Sequence, residues 1–153
     1  MNILIVEDSS VDRELLVFAL QEHYISEAKF REVGNLQSAR DYLERGVFDC
    51  VILDLHLPDS SGIDTFLTLH NAYPEIPIVV VSNTTDLQLA LRMIRLGAED
   101  FIVKNFTNTT MIFRRVAFAI ERKRRNTFSE DLPDGLNTDE EPVPDTQPSN
   151  TLR

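Results

Sequence analysis

Five times along the chain a short β-type run gives way to a stretch with helical spacing, and this alternation limits the folds open to it. Asn2 to Val6, Cys50 to Leu53 and Ile76 to Val81 read as buried strands, the last entered through Pro77. Ala28 to Val33 alternates apolar and polar residues, as a half-exposed edge strand does, and Phe101 to Val103 forms the last run. Between and after them, helical patterns begin at plausible N-caps. Ser9 or Ser10 precedes apolar positions Val11, Leu15, Leu16, Phe18, Ala19 and Leu20; Asn35 precedes Leu36 to Arg45; Thr85 or Asp86 precedes Leu87 to Leu96. The other two helices are expected over roughly Gly62 to Ala72 and Thr109 to Arg124. Gly46, expected in the C′ position, closes one helix, and Gly97 ends another.

Strands that are apolar throughout belong in a parallel sheet covered on both faces. Placing the two most apolar runs centrally and the alternating one at an edge gives a five-stranded (βα)5 α/β fold. Its strand order is 2-1-3-4-5, the flavodoxin-like, doubly wound arrangement. Ligands in such sheets bind at the carboxyl ends of the strands, where the order reverses. Polar residues stand at four of those ends: Glu7 and Asp8 after the first strand, Asp54 after the third, Ser82 after the fourth and Lys104 after the fifth.

Three carboxylates in one crevice repel each other unless a cation compensates. Oxygen ligands of this kind suit Mg2+, whose shell water and a phosphoryl oxygen can complete. A softer metal is not indicated, because Cys50 lies within a strand and His23, His56 and His70 are scattered. A nucleophile, a metal, a cation and a hydroxyl are the parts for phosphoryl transfer onto a carboxylate, with the central Asp54 as acceptor.

Four segments carry a resemblance to a family. Ile-Val-Glu-Asp-Ser at 5–9, Val-Ile-Leu-Asp-Leu-His-Leu-Pro-Asp-Ser-Ser-Gly at 51–62, Pro-Ile-Val-Val-Val-Ser at 77–82 and Gly-Ala-Glu-Asp-Phe-Ile-Val-Lys at 97–104 resemble the receiver domain of two-component response regulators. The likeness covers residues 1 to about 124. It implies that Asp54 accepts a phosphoryl group from a histidine kinase or a histidine phosphotransfer protein. Asp8 and Asp54 would hold Mg2+ directly, Glu7 through water, and the His56 backbone carbonyl would be a further ligand. Lys104 would contact the phosphoryl group, Ser82 would move to hydrogen-bond it, and Phe101 would turn inward into the space vacated. His56 and Thr84 would tune the phosphoryl lifetime. Output would pass through the face of helix four, strand five and helix five to a downstream protein, with a phosphorylation-dependent homodimer as one outcome.

Some positions depart from the family pattern. Glu7 stands where Asp is commoner, Asn83 where a small residue is preferred, and Phe101 where Tyr is usual. Asn105 replaces a proline that usually follows a cis bond. A cis peptide before Asn costs about 3 kcal/mol, so a trans peptide and a different aim for Lys104 are expected. The rivals are weaker. A phosphatase with an aspartyl-phosphate intermediate wants a second Asp where His56 stands, so no enzyme activity is expected beyond the chain's own phosphorylation and dephosphorylation. A nucleotide or flavin binder wants a Gly-rich loop where Glu7-Asp8-Ser9-Ser10 stands. A receiver acting as a phosphorylation-independent adaptor would not need the full acceptor set.

The 153 residues suffice for one core with chain to spare. The net charge of −10 opposes nonspecific binding to nucleic acid or anionic membrane. From Thr127 onward seven acidic residues face only Arg153, so that segment carries −6 and the rest −4. Such an acidic, Pro-containing tail (125–153) is expected to be disordered, and a single-domain regulator without DNA-binding output is expected. The basic run Arg122-Lys123-Arg124-Arg125 is expected to be mainly a solvated face, with partner or tail contact as the sharper reading. With no signal peptide, no membrane span and a lone Cys50, the expected location is cytoplasmic.

Overall fold

The computed structural model describes residues 1–23 and 28–130, the last three as backbone only. Five strands alternate with five helices: β1 (Asn2–Val6), α1 (Ser10–Gln21), β2 (Lys29–Val33), α2 (Leu36–Arg45), β3 (Cys50–Asp54), α3 (Ile63–Ala72), β4 (Ile78–Ser82), α4 (Leu87–Arg95), β5 (Asp100–Val103) and α5 (Thr109–Glu130). The strands form one parallel sheet in the order β2-β1-β3-β4-β5, the flavodoxin-like order expected. A short antiparallel ladder, His56–Leu57 with Ser60–Ser61, was not anticipated; it folds the segment after β3 back on itself.

Alternation along each strand divides the core into two layers. Leu4, Val6, Val51, Leu53, Ile78, Val80 and Phe101 face α2, α3 and α4, where Leu43, Phe66, Leu69 and Met93 meet them. Ile3, Ile5, Ile52, Val79, Val81 and Ile102 face α1 and α5, where Leu16, Leu20, Ile112, Val116 and Ile120 meet them. Each fully buried side chain of this size contributes roughly 1.5–3 kcal/mol relative to exposure. An exposed ion pair contributes about 0–1 kcal/mol. The apolar layers therefore fix the sheet, and the sheet fixes whatever stands at the ends of its strands.

Caps set the helix starts. Ser9 Oγ accepts from Asp12 N, Asn35 Oδ1 from Ser38 N, and Asp86 Oδ1 from Gln88 N and Leu89 N. A second acceptor serves α2: the Asp59 carboxylate takes the N–H groups of Leu36 and Gln37, and these bonds hold its pKa below the ordinary range. Gly97 has φ 110°, a conformation that favours glycine, and a Cβ there would lie 2.5 Å from His70 Nε2, so a side chain would also displace the imidazole. Gly46 departs from expectation. Its φ of −140° is extended backbone, so α2 ends without a left-handed cap.

One boundary and one helix face also differ. Helix α5 continues six residues past Arg124, to Glu130. The remainder of the expected disordered tail lies outside the described residues. Val11, Leu15 and Phe18, grouped in the sequence with the buried positions of α1, are exposed and form a second stripe.

Candidate functional site

Register brings the polar ends together. Val6 pairs with Leu53, Asp54 with Val81 and Ser82 with Val103, so Glu7, Asp54, Ser82 and Lys104 leave neighbouring strands at nearly one level. Lys104 N also donates to Ser82 O at 2.8 Å, extending the β4–β5 ladder to the lysine itself. Arg13 braces the loop after β1 by donating to the Glu7 and Asp8 carbonyls at 2.5 and 3.1 Å.

Asp54 is 6% exposed. Its Oδ1 accepts from His56 N at 3.2 Å and its Oδ2 from Lys104 Nζ at 3.1 Å. Glu7 is 1% exposed, with Oε1 fastened by Ser9 N at 3.0 Å. Its Oε2 lies 2.6 Å from Lys104 Nζ, yet it accepts no hydrogen bond of proper angle. The contact is charge against charge at close range. Burial raises the Glu7 pKa, Asp54 adds to the rise, and the Lys104 and Ser9 contacts oppose it. Burial alone would lower the Lys104 pKa; the close carboxylates of Glu7, Asp12 and Asp54 outweigh that and hold the ammonium well above the ordinary lysine range.

Glu7, Asp8 and Asp54 each present one carboxylate oxygen, all within 4.8 Å of one another. This all-oxygen donor set fits a hard, oxygen-seeking cation. Asp8 is exposed and gives such an ion an open side.

The remaining expected site residues are placed as follows. Ser82 is fully buried, its Oγ accepting from Thr84 N at 3.3 Å. The Thr84 hydroxyl in turn accepts from Asp86 N at 3.2 Å, so it supports the loop into α4. The His56 side chain and Asn83 are exposed. Phe101 is already inside, 7% exposed, in the layer with Met93 and Ala98. The Lys104–Asn105 peptide is trans, as are all described peptides, and Lys104 reaches Asp54 from it.

Sequence reasoning missed Asp12. Its Oδ2 lies 2.9 Å from Lys104 Nζ, across the crevice from the first turn of α1. An acidic residue in a first turn is ordinary helix chemistry, so no local signal marked it.

Outside the crevice, the basic run of α5 is mostly paired rather than simply solvated. Arg124 meets Asp49 at 3.1 Å, Arg122 and Lys123 flank Glu99, and Arg115 grips Asp100 with two hydrogen bonds. Phe113 lies against the His23 ring, with ring centres 5.0 Å apart. Leu87, Leu91, Ile94, Val103 and Phe118 expose apolar surface on α4, β5 and α5. Among the described residues no helix is long and apolar enough to cross a membrane.

The chain matches the response regulator receiver domain model over residues 3–115. It is 33% identical over 101 residues to the response regulator protein PilR of Pseudomonas aeruginosa, covering 66% of this chain and 22% of PilR. It is 31% identical over 121 residues to the cell cycle transcriptional regulator CtrA of Caulobacter vibrioides, covering 74% of this chain and 48% of CtrA. The chain thus spans less than half the length of either relative. Among solved structures, NtrX from Brucella abortus superposes with a TM-score of 0.75 at 26% identity, over 85% of this chain and 29% of NtrX. A CheY-like receiver domain protein from Methanospirillum hungatei, at 19% identity and a TM-score of 0.70, shares the fold over 82% of this chain and 97% of its own. Fold, crevice and matched model agree, and the chain belongs to the response regulator receiver domain family.

Proposed function

We propose that Asp54 accepts a phosphoryl group from the phosphohistidine of a histidine kinase or a histidine phosphotransfer protein. The observation carrying this reading is the setting of the Asp54 carboxylate: buried on the central strand, held at one oxygen by His56 N–H and at the other by Lys104. Its two oxygens are thereby oriented for attack on phosphorus. The new bond is from an Asp54 oxygen to phosphorus, the phosphorus–nitrogen bond breaks, and the donor imidazole takes up a proton.

Mg2+ held by Asp8 and Asp54, with Glu7 and the His56 carbonyl completing the protein's share, would neutralise charge on the transferring oxygens. Lys104 contributes a second positive charge at the acceptor. The Ser82 hydroxyl, which accepts from Thr84 N–H, keeps its own hydrogen for a phosphoryl oxygen. His56 and Thr84 stand within two residues of the acceptor and of Ser82, where they regulate the lifetime of the acyl phosphate.

Donor docking is assigned to the exposed α1 stripe of Val11, Leu15 and Phe18, which starts four residues after Glu7. Output is assigned to the apolar patch on α4, β5 and α5, read by a downstream protein or a second copy. In this reading the protein acts in the cytoplasm and catalyses only its own phosphorylation and dephosphorylation. Acetyl phosphate with Mg2+ is expected to add one phosphoryl group, detected by intact mass, and Asp54→Asn to abolish it. Equal labelling of the variant overturns the assignment.

A further inference from the structure

We infer that Asp12 is a positioning residue for Lys104, the berth that keeps the ammonium beside Asp54 when the other carboxylates turn to a metal ion. In its consequence for phosphoryl transfer this rests on the proposed function; its geometry does not. Lys104 Nζ, on a side chain only 4% exposed, touches Glu7 at 2.6 Å, Asp12 at 2.9 Å and Asp54 at 3.1 Å. An ammonium has three N–H donors. Asp12 and Asp54 accept two of them in good hydrogen bonds, while Glu7 is contacted without one.

The group of oxygens able to share a cation contains Glu7 and Asp54 but not Asp12. A divalent ion there would draw one oxygen from Glu7 and one from Asp54, two of the three carboxylates Lys104 now touches, and its charge would repel the ammonium. Asp12 keeps both of its oxygens for the ammonium. Its own placement is fixed by the Ser9 cap, which binds Asp12 N at 3.3 Å, and by its place in the first turn of α1. Without Asp12, Lys104 is left to Glu7 and Asp54 and competes with the ion for both.

The test is a double-mutant cycle read by Mg2+ calorimetry on the full chain, with no phosphoryl donor present. Asp12→Asn is expected to raise the Mg2+ Kd about fivefold, within the range of coupling between charges in contact. In a Lys104→Met background the same change is expected to alter Kd less than about twofold, because the competitor is gone. An unchanged Kd in the first case, or an equal change in both backgrounds, overturns the inference; the second would make Asp12 a mere surface charge. Should Lys104→Met fail to fold, the side-chain 15N signal of Lys104 decides. At saturating Mg2+ its protected NH3+ resonance is expected to persist in the native chain and vanish in Asp12→Asn, and persistence in both overturns the inference. Neither readout involves phosphorylation. Loss of acetyl phosphate labelling with the coupling intact would therefore break the acceptor assignment alone.

Discussion

The two ends of the sheet treat charge in opposite ways. At the amino ends of the strands each carboxylate finds its own partner: Asp49 takes Arg124 and Asn2 N, Asp100 takes both arms of Arg115, and Glu99 sits between Arg122 and Lys123. At the carboxyl ends, three carboxylates share one lysine and a fourth, Asp8, stands exposed beside them. The first arrangement fastens α5 to the sheet. The second holds like charges together at a cost, and such a cost persists where function requires it.

The contrast can be broken most sharply by removing one cation from each end. Lys104→Met leaves buried carboxylates unpaired and is expected to destabilise the chain by about 3 kcal/mol in the absence of Mg2+. Arg124→Ala, removing a half-exposed partner, is expected to cost less than about 1 kcal/mol. Urea unfolding of both variants checks the pair, and equal losses would mean that the two ends do not differ. Next in size, Asp54→Asn relieves part of the repulsion and is expected to raise stability by roughly 1 kcal/mol, the usual sign when a strained functional charge is removed. A clear loss of stability would place the strain elsewhere.

The smallest effect belongs to His70, at the amino-end side of the sheet against Gly97. Burial lowers its pKa from 6.5, and Lys123 adds to the fall. The unfolded chain thus binds a proton there more readily than the folded one. Stability is fully present above pH 6.5 and declines as pH falls from 6.5 through the lowered folded value. His70→Gln is expected to flatten the stability profile in that window, measured by thermal melts at a series of pH values.

Much of this was legible in the sequence. Runs such as Cys50 to Leu53 admit little besides a buried parallel strand, and the alternation from Ala28 to Val33 marked the edge, so strand order followed. Asn35 announced its helix, and the Thr85–Asp86 pair announced another to within one residue, because capping is local chemistry. What stayed hidden needed contacts across the fold. Asp59 caps α2 from 22 or more residues away, and Asp12 meets Lys104 across 92. The pattern in α1 offered two apolar stripes, Leu16-Ala19-Leu20 and Val11-Leu15-Phe18, and spacing alone does not tell which one faces the sheet. Gly46 looked like a left-handed cap because glycine is common there, but its backbone is extended, and a Cβ would stand 3.4 Å from both the Phe48 ring and the Tyr42 carbonyl.

Cys50 has a practical consequence. Its thiol is fully buried in the middle of the sheet, and burial raises its pKa far above the usual range. In the folded chain it is shielded from alkylating reagents and from dimerisation through sulfur. Because it is the lone cysteine, every thiol that reacts counts one opened molecule. The rate of alkylation then reads the opening of the central strand directly, a built-in clock against which each charge variant at either end of the sheet can be timed.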